Sequence, residues 1–297
     1  MKALESGTRI EIKNILFPTD FSAAGDAAIP YATELARRFG AKICALHVRP
    51  PVINPMTQPA TWGGLEKAAK EEAEAQRKVL RESFPGIKPE IMIEEGDFWQ
   101  NLQDAIDAHS TDLIVLGTHG RSGAGKFLLG SKAEEIFRRA PCAVLTVGPH
   151  SHAIPPRYGE FTEILYATDF GPESSAAAYY AMSLAQEFQA RLTLLHVIPE
   201  ERPGDLILPG DQAASSAQRL HKLVPAEAEL WCVPHFVVEA GPAAEKILEV
   251  AEKRNADLIV LGVHRPSGFP GAATHLPIAI AHKVVSQANC PVLTVRG

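Results

Sequence analysis

The sequence predicts an α/β protein built from two tandem doubly wound sheets, each with five parallel strands. Three observations predict this fold class. The chain has 297 residues, 46% of them hydrophobic, which exceeds the usual size of one domain and can bury two cores. A repeat covers nearly the whole chain, and short apolar runs alternate with stretches of helical period, as in parallel strands joined by crossover helices.

The repeat is clearest near the start of each half. Residues 15–48 and 164–197 align without a gap and are identical at roughly half of their positions. Two further segments recur later in each half: DLIVLG, which begins at Asp112 and Asp257, and C-x-VLTV, which begins at Cys142 and Cys290. The chain is therefore predicted to be a duplication.

The domain boundaries follow from the repeat and from a change in composition. Residues 148–160 contain the proline, glycine and polar side chains of an exposed linker. We predict one domain over residues 1–150 and a second over residues 158–297.

Within the first copy, each element follows from its apolar pattern. In chain order, the pattern predicts a strand near 13–17, a helix over 22–39, a strand over 42–47, a helix over 64–84, a strand over 90–94, a helix over 98–109, a strand over 112–116, a helix over 131–139 and a strand over 143–147. The last two strands are apolar on both faces, as expected when helices cover both sides of a sheet. The charges of helix 64–84 are interpreted as a solvated outer face.

Ligands of doubly wound sheets bind at the carboxyl ends of the strands, which directs attention to the loops after strands one and four.

Composition excludes several classes of partner. A formal charge of -6 argues against nucleic acid and against an anionic membrane, since either requires a basic surface. The first 20 residues contain no continuous apolar stretch, so neither a secretory signal nor a membrane anchor is expected, and the predicted location is the cytoplasm. Four cysteines without Cys-x-x-Cys or zinc-ligand spacing are predicted to be structural thiols, with no metal site: Cys44, Cys142, Cys232 and Cys290.

The loop after the fourth strand predicts an anion site. Gly117, Gly120, Gly130 and Ser131 have the spacing G-x2-G-x9-G-S, and glycines let backbone amides approach a ligand. Ser131 and Glu134 have the pattern of a capping box, which would place N–H groups at a helix start, where anions bind. The alternative is an ordinary glycine-rich surface loop with a serine cap.

The same loop nearly matches a P-loop. Gly120, Gly125 and Lys126 fit G-x4-G-K, but Phe127 occupies the position of the Ser or Thr that binds magnesium. We therefore do not predict a P-loop, although Arg121 and Lys126 could still neutralise phosphates.

A second candidate contact follows the first strand. Asp20 lies in the segment PTDFS, where its carboxylate could accept hydrogen bonds from a base or a ribose. The alternative is that Asp20 or Ser22 caps the next helix. The recurrence of an aspartate at Asp169 in the second copy fits either interpretation.

The segments PTDFS, ALHV and DLIVLGTHGRSG, together with the glycine spacing, resemble the universal stress protein family in a tandem two-domain arrangement. The resemblance covers both halves and implies an adenine nucleotide alpha hydrolase-like fold with strand order 3-2-1-4-5. It also implies, in ATP-binding members, adenine contacts from Asp20 and Val48, ribose contacts near Gly117, and phosphate contacts from Gly120, Gly130 and Ser131. Pro18, Leu116 and Lys132 occupy neighbouring positions of that pocket.

The second copy departs from this pattern. Gly262 remains, but Arg265 replaces the second glycine. The loop that follows Gly262 is also longer than the loop that follows Gly117, and it contains prolines. The final Gly-Ser positions fall on His275 and Leu276 counted forward, or on Ile278 and Ala279 counted back from Cys290. We predict no ATP of the family type in this domain. Another ligand, or none, stays open, with Asp169, His264 and Arg265 as its polar contacts.

Four histidines at matched positions are not predicted to be catalytic. His119 and His264 lie beside the two loops and are interpreted as residues that shape the pockets, because no neighbouring nucleophile or carboxylate is readable from the spacing. His47 and His196 end matched strands and are interpreted as packed, hydrogen-bonded residues.

The predicted function is that of an ATP-binding regulatory stress protein, with or without magnesium, that holds adenine nucleotide in its first domain. One alternative is a slow ATPase, for which we identify neither base nor metal ligand. The other is a scaffold that acts without nucleotide. The resemblance also implies that the closing strands of the two domains pair, which would make one chain a pseudo-dimer, and two chains could associate further as a homodimer.

Overall fold

The computed structural model describes residues 10–51, 62–118, 129–148, 151, 160–199, 209–225, 232–263 and 275–297. The elements of the first half are β1 (Asn14–Pro18), α1 (Ala23–Asp26), α2 (Ile29–Phe39), β2 (Lys42–Arg49), α3 (Trp62–Ser83), β3 (Glu90–Glu95), α4 (Phe98–His109), β4 (Leu113–Gly117), α5 (Ser131–Arg139) and β5 (Ala143–Val147). Those of the second half are β6 (Glu163–Ala167), α6 (Pro172–Phe188), β7 (Arg191–Ile198), α7 (Pro209–His221), β8 (His235–Ala240), α8 (Ala243–Arg254), β9 (Leu258–Val263), α9 (His275–Gln287) and β10 (Val292–Arg296).

The strands form one ten-stranded sheet in the order β3-β2-β1-β4-β5-β10-β9-β6-β7-β8. Neighbours within each half are parallel, which confirms the predicted α/β fold and the strand order 3-2-1-4-5 in both halves. The halves meet where β5 pairs with β10 in antiparallel fashion, with Leu145 opposite Leu293. The strands of the two halves therefore run in opposite directions. At each edge of the sheet, the strands of one half end where those of the other begin.

Apolar side chains cover both faces of the sheet. In β1, Ile15 and Phe17 face one core, shared with α2 and α6, while Leu16 faces the other, shared with α4 and α5. This alternation is what a doubly wound sheet requires, because successive strand residues point to opposite faces. Leu145 and Leu293 are 1% and 3% exposed and belong to the same core, so that core continues across the junction of the halves.

The predicted helix over 22–39 is wrong in one respect, because the chain forms two helices there. Pro30 lies in the first turn of α2. It has no N–H to donate to the carbonyl four residues earlier, and its ring clashes with that carbonyl. The corresponding residue of the second half is Tyr179, and there α6 runs without a break.

The aspartates that begin the two DLIVLG segments are structural. The Asp112 carboxylate accepts hydrogen bonds from the backbone N–H groups of Lys13 and Asn14 at 2.8 and 2.9 Å. The Asp257 carboxylate accepts in the same way from Thr162, from its N–H and its hydroxyl, both at 2.7 Å. Each aspartate thus fixes the start of the first strand of its half to the start of the fourth.

Two tyrosines at matched positions contact the opposite half: the Tyr31 ring stacks on Phe161 with ring centres 6.1 Å apart, and Tyr180 lines a small cavity together with Leu113. Burial raises the pKa of Tyr31, on α2, to about 12, and Cys290 and Asp257 of the second half add to the effect. Burial likewise raises the pKa of Tyr180, on α6, with a contribution from Cys142 of the first half. The first long helix of each half therefore packs against the edge where the other half's strands begin.

The cysteines are free. Burial raises the pKa of Cys44, Cys142 and Cys290 to about 12 and that of Cys232 to about 11. Since the thiolate is the reactive form, a raised pKa disfavours reaction of these thiols at neutral pH, in agreement with the prediction of structural cysteines. Over the described ranges, no helix combines the length and the apolar character needed to cross a membrane.

The glycine at the end of the fourth strand is required by packing in both halves. A Cβ on Gly117 would lie 1.9 Å from the backbone oxygen of Ala24, in α1. A Cβ on Gly262 would lie 2.6 Å from the backbone nitrogen of Ser174, in α6. The start of the helix after the first strand therefore rests directly on the end of the fourth strand, and only glycine leaves room for it.

We predict that Gly117→Ala lowers the free energy of unfolding by about 1–3 kcal/mol, because the added methyl group meets backbone that has to move. Urea denaturation followed by circular dichroism measures the change. Gly210→Ala is the control, since a Cβ there meets nothing within 4 Å, and in helix α7 alanine should be neutral or stabilising. Equal effects of the two substitutions would contradict the packing argument.

Candidate functional site

A cavity of about 260 Å³ opens at the carboxyl ends of β1 and β4. The described residues that line it are Pro18, Thr19, Asp20, Gly25, Phe98, Leu116, Gly117, Thr118, Gly130, Ser131, Lys132, Ala133 and Ile136. After β1 the chain passes to one face of the sheet, and after β4 it passes to the other. The cavity thus occupies the position where doubly wound sheets bind ligands.

Most of the residues predicted to form a site line this cavity: Pro18, Asp20, Leu116, Gly117, Gly130, Ser131 and Lys132. Val48 is instead 6% exposed in β2 and packs in the core shared with α4 and α5. Gly120 lies outside the described residues, as do His119, Arg121, Gly125, Lys126 and Phe127.

The turn after β1 is fixed by short-range hydrogen bonds. The Thr19 hydroxyl oxygen accepts from the N–H of Phe21 at 3.0 Å, and Oδ1 of Asp20 accepts from the N–H of Ser22 at 3.0 Å. Phe21 has a φ of 57°, which is uncommon for a residue other than glycine. Ser22 caps α1 by accepting from the N–H of Gly25 at 3.1 Å. Ser22 is therefore the cap, while the Asp20 carboxylate shapes the turn and retains capacity for further donors at the cavity.

The start of α5 differs from the predicted capping box. Gly130 is the N-cap residue, so the helix begins without a side-chain cap, and Ser131 is its first residue. Glu134 pairs with Arg138 at 2.9 Å instead of reaching back. The N–H of Gly130 donates to the carbonyl of Thr118 at 2.7 Å. The first-turn N–H groups that follow have no acceptor within the helix and carry the positive end of its dipole at the cavity.

Phe98 is a lining residue that the sequence did not indicate. It begins α4, which Asp97 caps by accepting from the N–H of Gln100 at 2.8 Å. The ammonium of Lys132 lies 4.7 Å from the centre of the Phe98 ring. The sequence feature that could have indicated Phe98 is Gly96, which follows β3 in a turn with a φ of 119°. This turn lies at the same edge of the sheet as the other loops that line the cavity.

The second half has a smaller cavity, of about 100 Å³, at the carboxyl ends of β6 and β9. Its described lining is mostly apolar: Ala167, Thr168, Asp169, Ser174, Leu195, Val197, Ala243, Ile247, Leu261, Gly262, Ile280 and Ala281. Oδ1 of Asp169 accepts from the N–H of Gly171 at 2.8 Å and from the Ser174 hydroxyl at 2.6 Å. Ser174 occupies the position that Gly25 has in the first half. His264 and Arg265 lie outside the described residues.

His47 and His196 are packed and hydrogen-bonded, as predicted. Their Nδ1 atoms lie 2.7 and 2.8 Å from the carbonyl oxygens of Thr19 and Thr168. Because a carbonyl only accepts, Nδ1 carries a proton in both rings. His196 also lies 4.4 Å from the Phe170 ring. These histidines support the turns after β1 and β6. In the described part of the chain, no group of three or more His, Cys, Asp or Glu side chains could hold a metal ion.

Comparisons with known proteins agree across both halves. A model of the universal stress protein family matches residues 11–148 and again residues 160–296. A universal stress protein from Mycolicibacterium smegmatis is 29% identical over 95% of this chain and 96% of its own length. One from Methanocaldococcus jannaschii is 32% identical over 46% of this chain and 81% of its own length. The crystal structure of a universal stress protein from Archaeoglobus fulgidus matches 97% of this chain and 99% of its own with a TM-score of 0.71, at 21% identity, which shows a common fold.

We predict that His196 makes the protein less stable as the pH falls from about 7 to about 5. Burial, with a contribution from Arg219, lowers the pKa of His196 in the folded protein. The folded state then binds fewer protons than the unfolded state, so this stabilisation is present above the ordinary pKa of about 6.5 and is lost as the pH falls through the folded value. His196→Gln should flatten the pH dependence of the free energy of unfolding, measured by urea denaturation across that range. An unchanged slope would contradict the prediction.

Proposed function

The chain belongs to the universal stress protein family, and we propose that it binds ATP in its N-terminal domain and acts as a nucleotide-dependent regulator in the stress response. The observation that carries this proposal is the cavity at the carboxyl ends of β1 and β4. A carboxylate from Asp20 and the uncapped start of α5 line that one cavity. A ligand with both hydrogen-bond donors and anionic groups suits such a lining.

In this proposal the first turn of α5 binds the phosphates. Its N–H groups and its dipole attract anions, and Gly130, with no side chain, lets a phosphate approach the backbone. Lys132 adds a positive charge at the same place. The described lining contains a single carboxylate, that of Asp20, so little negative charge opposes the phosphates.

The opposite part of the cavity would hold the nucleoside. The Asp20 carboxylate accepts hydrogen bonds and would bind the base or the ribose, with Pro18 and Leu116 as apolar contacts. The resemblance to the family also implies an adenine contact from Val48, but its side chain packs in the core and is not among the described lining residues. Gly117 lines the same cavity and would contact the ribose through its backbone, since the space on its Cβ side is occupied by the backbone of Ala24.

The second domain has a different role in the proposal. Its cavity is smaller and mostly apolar, and Ser174 already donates to the Asp169 carboxylate. We propose that this domain, over residues 158–297, binds no ATP and supports the nucleotide-binding domain, over residues 1–150. The pairing of β5 with β10 supports an arrangement in which one chain forms a pseudo-dimer.

Calorimetric titration of ATP into wild-type protein and Gly130→Glu tests the proposal. Wild type should bind one ATP per chain. Gly130→Glu should lose that binding, because the added carboxylate lies at the start of α5 and repels phosphate. The backbone tolerates the change, since Gly130 has a φ of -59° and a ψ of 148°, a conformation open to any residue.

Ala279→Glu is the matched control. Ala279 is exposed near the start of α9, the helix of the second domain that corresponds to α5, and its substitution should leave ATP binding unchanged. Two ATP molecules per chain would show that the second domain also binds nucleotide. An absence of ATP binding by wild type would overturn the proposal. Continuous formation of ADP from ATP in the presence of magnesium would show that the protein is a slow ATPase.

A further inference from the structure

We propose that Phe98 is a positioning residue that holds the ammonium of Lys132 at the cavity, and that this pair makes affinity depend on the number of phosphates in the ligand. The inference rests on the proposed nucleotide binding. It goes beyond it by assigning a role to an aromatic side chain that lies outside the glycine-rich loop and outside the turn after β1.

The first observation is the contact itself. The ammonium of Lys132 lies 4.7 Å from the centre of the Phe98 ring, within the range of cation–π attraction. Both side chains line the same cavity. Phe98 is only half-buried and does not belong to the fully buried core, so its ring is available at the cavity wall.

The second observation is electrostatic. Lys132 is the second residue of α5, where the positive end of the helix dipole disfavours a cation. The negative face of the Phe98 ring offsets part of that repulsion. A phosphate bound at the first turn would offset the rest, because it would lie beside both the N–H groups and the ammonium. The lysine is therefore placed where its charge is stabilised most when an anion is present.

The third observation comes from the second half of the chain. Ala243 follows Gly241 as Phe98 follows Gly96, and Ile280 precedes Cys290 by the same number of residues as Lys132 precedes Cys142. Ala243 and Ile280 line the cavity of the second domain. Both members of the pair are thus replaced together in the domain for which we propose no ATP.

A second cation–π contact provides a control. The Arg139 guanidinium lies 4.0 Å from the centre of the Trp99 ring. This contact also joins α4 to α5, but neither residue is among those that line the cavity. A variant at Trp99 therefore reports what loss of a helix–helix contact does without a change at the cavity.

The test is calorimetric titration of ATP, ADP and adenosine into the full-length chain and its variants. Phe98→Leu removes the ring but keeps an apolar side chain, and should weaken ATP binding about two- to fivefold. ADP should be affected less and adenosine not at all. Phe98→Tyr keeps the ring and should bind like wild type, as should Trp99→Leu.

Lys132→Met should weaken ATP binding about tenfold. In the Lys132→Met background, Phe98→Leu should cause no further loss, because the ring acts through the lysine. An equal loss for adenosine and ATP in Phe98→Leu, or a loss that persists without Lys132, would overturn the inference. An unchanged affinity of Phe98→Leu would overturn it while leaving the proposed function intact. If wild type binds no adenine nucleotide, the proposed function is overturned and this inference with it.

Discussion

The antiparallel pairing of β5 with β10 joins two parallel half-sheets, and the positions of the cavities and of the contacts between domains depend on it. Leu145 and Leu293 face each other at this junction within one continuous core. Because strand direction reverses there, the two cavities lie at opposite edges of the sheet. The same reversal brings Tyr31, in the first turn of α2, and Tyr180, in the middle of α6, against the edge where the other half's strands begin. A single strand pairing thus determines what each domain presents to the other.

Fold and site cannot be separated at the end of β4. Gly117 lines the cavity, yet its lack of a side chain is required by the backbone of Ala24. The second half has the same constraint at Gly262, although its cavity is smaller and mostly apolar. Gly130 differs from Gly117 in this respect. Its backbone conformation is open to any residue, so the backbone angles there do not require glycine. Packing thus requires glycine at Gly117, whereas the backbone angles at Gly130 do not.

Much of the fold could be predicted from the sequence, because strands buried on both faces are short continuous apolar runs and the repeat supplies each element twice. Helices α4 and α5 and strand β5 have the bounds that their patterns predict. The break before α2 was missed although Pro30 was visible, since helical period continues through it. The capping box failed because Gly130 caps α5 and leaves Ser131 inside the helix. Phe98 could not be found by spacing, because its place at the cavity depends on how α4 packs beside α5, and sequence periodicity does not specify that.

The break between α1 and α2 changes the connection between the cavity and the domain contact. In the first domain, α1 touches the end of β4 and carries Gly25 at the cavity, whereas α2 carries Tyr31 against the other domain, and a joint at Ala27 and Ala28 separates them. In the second domain, the continuous α6 carries both Ser174 at its cavity and Tyr180 at the domain contact. Between the cavity and the domain contact, the helical hydrogen bonding is thus interrupted in the first half and continuous in the second. The duplicated halves thus differ in how the cavity is connected to the domain contact, by two helices in the first half and by one in the second.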